Sequence, residues 1–112
     1  MSSSQYIPKR GDIVWIDFDP SAGHEQAGTR PGLVLSEYIF NKKIGLALVA
    51  PITNTVRGHG FEVKVAGKTT SGVILCQQIK MTDYYERRLE FIEKAKKNVV
   101  DEALKKVRLV LA

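Results

Sequence analysis

Five side chains able to do chemistry crowd into the segment from Asp19 to Pro31, DPSAGHEQAGTRP: His24, Glu25, Gln26, Thr29 and Arg30. Arg30 offers a planar fork of donors suited to the oxygens of an oxyanion, and its permanent charge makes it a poor base. Glu25, a carboxylate that a nearby guanidinium keeps ionised, either orients Arg30, takes up a proton, or forms a purely structural salt bridge. His24 is the one side chain of the segment that titrates near neutrality, which suits proton transfer or contact with a ligand. Gly23 and Gly28 let the backbone turn sharply or approach a ligand closely. Read as a loop, the segment is too long for a hairpin turn, and long loops inside compact domains usually carry function or are disordered. This density of reactive side chains favours function.

The elements that must hold this segment are short and β-rich, punctuated by Gly and Pro. Asp12 to Phe18 reads as a strand with Val14, Ile16 and Phe18 on one face and Ile13 and Trp15 on the other. Two apolar faces imply a closed or doubly covered sheet, and Trp15, a ring that could stack a base, reads as core beside Ile13 and Ile16. Further strands are expected over Pro31–Ser36, Leu46–Ala50, Phe61–Val65 and Gly72–Ile79. Residues 86–96 fit either a helix or an edge strand. From Asn98, a candidate N-cap, the spacing of Val100, Ala103, Leu104, Val107, Val110 and Leu111 predicts an amphipathic helix. The pattern as a whole points to a mainly β fold: a small, strongly curved barrel with a C-terminal helix.

At 112 residues the chain is the size of one domain, and its 44% hydrophobic and 26% charged residues describe a globular protein. One cysteine, Cys76, rules out an intramolecular disulfide and a four-cysteine zinc site, and its apolar strand reads it as a small buried hydrophobe. The start MSSSQYIPKRGD lacks the apolar core of a signal peptide, and no run is long enough to span a membrane, so a cytoplasmic protein is expected. The net charge of +5 is uneven. Residues 1–34 are net acidic, whereas Lys42, Lys43, Arg57, Lys64, Lys68 and Lys80 face only Glu37 and Glu62 across residues 35–80. That basic middle permits a phosphate backbone as partner, or it is simply a set of solvated lysines.

GDIVWIDFDP, then GHEQAGTRPGLVLS, LVAPIT and GVILCQQIKMTD together resemble the MazF/PemK toxins of bacterial toxin–antitoxin modules, over roughly residues 8 to 83. The resemblance implies an SH3-like, plasmid-maintenance-type barrel with a C-terminal helix, one domain over residues 1–112, and a symmetric homodimer. It implies a sequence-specific endoribonuclease that cuts single-stranded messenger RNA, needs no metal or other cofactor, and arrests translation and growth. The implied protein partner is an antitoxin whose acidic segment fills the RNA groove.

RNA cutting of this kind needs attack on phosphorus, a proton taken, a proton donated, and charge stabilised on phosphoryl oxygens. Arg30 and Thr53, the latter in APIT, match the family's two catalytic positions, with Arg30 assigned to charge stabilisation. Read without the resemblance, Thr53 is a turn former after a strand. Glu25 and His24 complete the candidate catalytic set. Gln26, Thr29, Arg57, Gln77, Gln78 and Lys80 are the candidate RNA contacts. His59, flanked by glycines, reads as an exposed loop residue, and Asp17 with Asp19 as turn chemistry rather than a metal site. The competing reading is a non-catalytic binding module on the same barrel, such as a gyrase-gripping toxin, which would not need Glu25, Arg30 and Thr53.

Overall fold

The computed structural model describes residues 5–18, 28–55, 58 and 60–111. Among the described residues, seven strands and two α-helices follow one another: β1 (Asp12–Phe18), β2 (Gly28–Val34), α1 (Tyr38–Ile44), β3 (Leu46–Thr53), β4 (Glu62–Ala66), β5 (Ser71–Leu75), β6 (Lys80–Asp83), β7 (Glu90–Lys94) and α2 (Lys97–Leu111). The strands form one bent sheet in the order β4-β5-β3-β2-β1-β7, with β6 also on β3. The mainly β architecture with a C-terminal helix is the one expected.

β1 is covered on both faces, as its two apolar stripes require. Ile13 joins Leu33, Ile52, Val63 and Ile74 beneath Val100, Ala103 and Val107 of α2, while Val14 and Ile16 pack with Val34, Val49, Tyr84 and Leu89 on the other side. Each fully buried aliphatic side chain there contributes about 1.5–3 kcal/mol. β7 pairs with β1 antiparallel, so within residues 86–96 the strand reading holds for Glu90–Lys94 at the sheet's edge, after a turn at 86–88. Asp12, almost wholly buried, accepts hydrogen bonds from Tyr6 Oη, the Lys9 N–H at 3.0 Å and Lys94 Nζ at 2.9 Å. Its charge is therefore fully partnered at the β1–β7 seam.

β3 organises the rest. On one edge it pairs with β2; on the other it takes β6 along Leu46–Val49 and β5 along Ile52–Thr53. The single strand expected over Gly72–Ile79 is therefore broken. Cys76–Gln78 form a 3-10 turn opposite Ala50 and Pro51, where proline has no N–H to give a ladder. Cys76 sits buried in that turn rather than in a strand.

Other boundaries shift for local reasons. β2 begins at Gly28, so Thr29, Arg30 and Pro31 belong to a strand and not to a loop. α2 begins at Lys97, which places Asn98 inside the first turn instead of at the cap. Val110 and Leu111 extend past the core and are exposed. α1 has no counterpart in the sequence reading, because its one buried residue is the polar Asn41. Asn41 Nδ2 donates to the carbonyls of Pro8 (2.8 Å) and Ser36 (3.2 Å), and the Asn41 carbonyl accepts from Tyr84 Oη at 2.8 Å.

Candidate active-site cleft

An open cleft of about 500 Å³ is lined by Trp15, Arg30, Pro31, Ile52, Thr53, Asn54, Thr55, Thr69, Thr70 and Ser71. It brings together two of the residues singled out from sequence, Arg30 and Thr53, which are 23 positions apart in the chain. β1 and β2 build one wall. Their register sets Trp15 opposite Pro31 and Ile16 opposite Arg30, so the backbone at both cleft residues is fixed by an antiparallel ladder.

Trp15 corrects its expected place in the core. It is 41% exposed and lies in the cleft. Ile13 takes the covered part of that strand face beneath α2, and Trp15, two residues on, presents its ring to the opening.

The opposite wall comes from the end of β3 and the start of β5. Thr53 pairs with Val73, and its Oγ1 accepts a hydrogen bond from the Thr55 N–H at 3.2 Å, a short turn that orients the hydroxyl. Gly72 makes this approach possible. Its φ is +135°, and a Cβ there would drive into the Thr53 carbonyl oxygen. Thr69, Thr70 and Ser71 finish the wall just ahead of it.

The Thr69–Ser71 end of this wall is held from across the sheet. Glu93 of β7 accepts hydrogen bonds from the N–H groups of Lys68 (2.8 Å), Thr69 (3.1 Å) and Thr70 (2.8 Å), and from Thr69 Oγ1 at 3.1 Å. Burial would raise its carboxyl, but the Thr69 and Lys68 amides and the Thr70 and Thr69 contacts outweigh that and lower it to about 2. In the interior, burial pushes the Cys76 thiol up to about 11. Among the described residues, no group of His, Cys, Asp and Glu could hold a metal ion.

The other nominated residues are distributed differently. Thr29 is exposed on β2 beside Arg30. Gln77 and Gln78 are exposed on the 3-10 turn and Lys80 on β6, and none of these lines the cleft. Arg30 is the one Lys or Arg among the described lining residues, so Lys42, Lys43, Lys64, Lys68 and Lys80 do not line the cleft. His24, Glu25, Gln26 and Arg57, together with Asp19 and His59, lie outside the described residues. Sequence reasoning weighed Trp15 as a base-stacking ring but placed it in the core, and it missed Asn54, Thr55, Thr69, Thr70 and Ser71. The legible signal was the pair of short hydroxyl-rich runs, TNT at 53–55 and TTS at 69–71.

Comparison with known proteins adds an independent line. Residues 9–111 match a family model described as PemK-like, MazF-like toxin of type II toxin-antitoxin system. The endoribonuclease toxin MazF of Escherichia coli K12 is 47% identical over 77 residues, covering 69% of each chain. The endoribonuclease toxin ChpB of the same strain is 44% identical over 109 residues, covering 92% of this chain and 93% of its own. Among solved structures, MazF from Deinococcus radiodurans superposes with a TM-score of 0.84 at 38% identity, over 96% of this chain and 98% of that one. A MazE–MazF complex from the same organism gives 0.84 at 32% identity, with the same coverage.

Proposed function

The chain belongs to the PemK/MazF family of type II toxins, and from that premise we propose that its cleft is the cutting site of an endoribonuclease toxin acting on single-stranded RNA. The observation that carries this reading is the meeting of Arg30 and Thr53 in one cleft beside an exposed tryptophan. A guanidinium and a hydroxyl meet the needs of a phosphoryl group on its way to a five-coordinate state, and an indole face meets those of a base.

In this reading the ribose 2′-OH attacks phosphorus. The new P–O bond closes a 2′,3′-cyclic phosphate while the bond to the 5′-oxygen breaks, and that oxygen leaves as a 5′-OH after taking up a proton. Arg30 binds the phosphoryl oxygens and stabilises the charge that builds on them. Thr53 donates to one of those oxygens or orients the attacking group. Glu25 and His24 are assigned the two proton transfers. Trp15 stacks a neighbouring base. Gln26, Thr29 and Arg57 serve as RNA contacts, as do Gln77, Gln78 and Lys80, which stand outside the cleft.

The remaining expectations belong to the same proposal: one toxin domain over the chain, a homodimer, residence in the cytoplasm, and neutralisation by an antitoxin. MazE–MazF assemblies among the solved structures support the last of these. The test is direct. Purified protein incubated with a defined transcript and EDTA should yield fragments ending in 2′,3′-cyclic phosphate and 5′-OH. Intact RNA together with inhibited gyrase would instead establish the binding-module reading.

A further inference from the structure

β4 and β7 are the two ends of the sheet, and no strand ladder joins them. What crosses the gap is Glu93, whose carboxylate takes the N–H groups of Lys68, Thr69 and Thr70 and the Thr69 hydroxyl. Three consecutive backbone donors converging on one anion form a nest, here filled from within the chain.

Two details show that the arrangement is specific. The β1–β7 register shifts between Ile13 and Val14, so that Val14 faces Phe91 while Ile13 faces Glu93. The extra residue, Ile92, tucks against the core under α2, and the bulge brings Glu93 to the position opposite Ile13. Gly67 then leaves the space the carboxylate needs, since a Cβ there would lie 2.6–2.7 Å from the Glu93 carboxyl atoms.

We propose that Glu93 is a positioning residue for RNA binding: by latching residues 68–70 it holds Thr69, Thr70 and Ser71 as the second wall of the cleft. Glu93 itself touches no reacting atom. The latch sets how well the cleft receives RNA and leaves the chemistry at Arg30 and Thr53 alone. This inference rests on the reading of the cleft as the RNA site.

Steady-state cleavage of a short RNA oligonucleotide by the full chain, with amide exchange at residues 68–70, tests it. Glu93→Ala is expected to raise KM about tenfold while kcat stays within about twofold, because the lost interaction serves binding and not the transition state. Glu93→Gln, which keeps the shape and one acceptor oxygen, is expected to give a smaller rise, and amide exchange should quicken in the same order. Faster exchange with KM unchanged overturns the inference, as does a fall in kcat at constant KM. Should Glu93→Ala fail to fold, Glu93→Gln decides by the same two criteria. A wild type that cuts no RNA overturns this inference and the cleft reading together, whereas an active wild type with unchanged KM in the variants overturns this one alone.

Discussion

Trp15 and Arg30 stand on a wall whose shape comes from the six-residue register of β1 with β2, whereas Thr69 and Thr70 stand on a turn closed by the β4–β5 ladder and the Gly67 N–H to Thr70 carbonyl bond, and tied to the far edge of the sheet by one carboxylate. The first wall is a continuous ladder, buried behind Val14 and Ile16 and stiff for that reason. The second is the turn between two strands, hung from the far edge of the sheet. Arg30, the charged group proposed to meet phosphate, is on the stiff wall. The small hydroxyls, which can adapt to a chain passing over them, are on the hung one. The difference separates two demands on a nuclease: fixed geometry at the phosphorus, and tolerance along the rest of the strand.

That division can be broken at several points. Arg30→Ala should cost the most, about 10³-fold in kcat or roughly 4 kcal/mol, with thermal stability nearly unchanged because the ladder does not need the side chain. A loss of folding instead would show that the stiff wall depends on its own catalytic residue. Thr53→Val keeps shape and removes one donor, so single-turnover cleavage should slow by about 10- to 100-fold. Trp15→Ala should raise KM for RNA by about tenfold, the worth of one stacked base. Trp15 is the only tryptophan of the chain, so quenching of intrinsic fluorescence on adding uncleavable RNA reports the same contact.

The smallest effect concerns pH. Glu93 is lowered to about 2 in the folded chain, against an unfolded value near ~4.3. Its contribution is therefore fully present above ~4.3 and is lost as pH falls from there towards about 2. The stability difference between wild type and Glu93→Gln should hold steady from neutral pH to about pH 5 and shrink below ~4. Lys94, the next residue on β7, is paired with Asp12 and does not offset it.

Much of the stiff wall was legible in the sequence and little of the hung one. DIVWIDF declares a strand with two apolar faces, and the chain shows just that, with Ile13 and Val14 in different halves of the core. Arg30 announced itself by type and by resemblance, although it was placed in a loop and stands in β2. Trp15 was misread because strand alternation tells which face a residue is on, but not where the helix covering that face stops. Thr53 was legible only through resemblance, since a threonine after a strand is ordinary turn chemistry. Glu93 gave no local signal at all. Its partners lie 23 to 25 residues away, and its aim depends on a one-residue bulge that no periodicity records. α1 escaped for a related reason: Asn41 holds it by hydrogen bonds, not by an apolar stripe.

The pairing of β1 with β7 has a consequence in time. Asp12 waits for Lys94, 82 residues later, before the first and last strands can close. During synthesis the arginine wall can therefore assemble while the opposing wall still lacks the residue that holds it. The cleft therefore stays incomplete until Glu93 and Lys94 have been added to the growing chain.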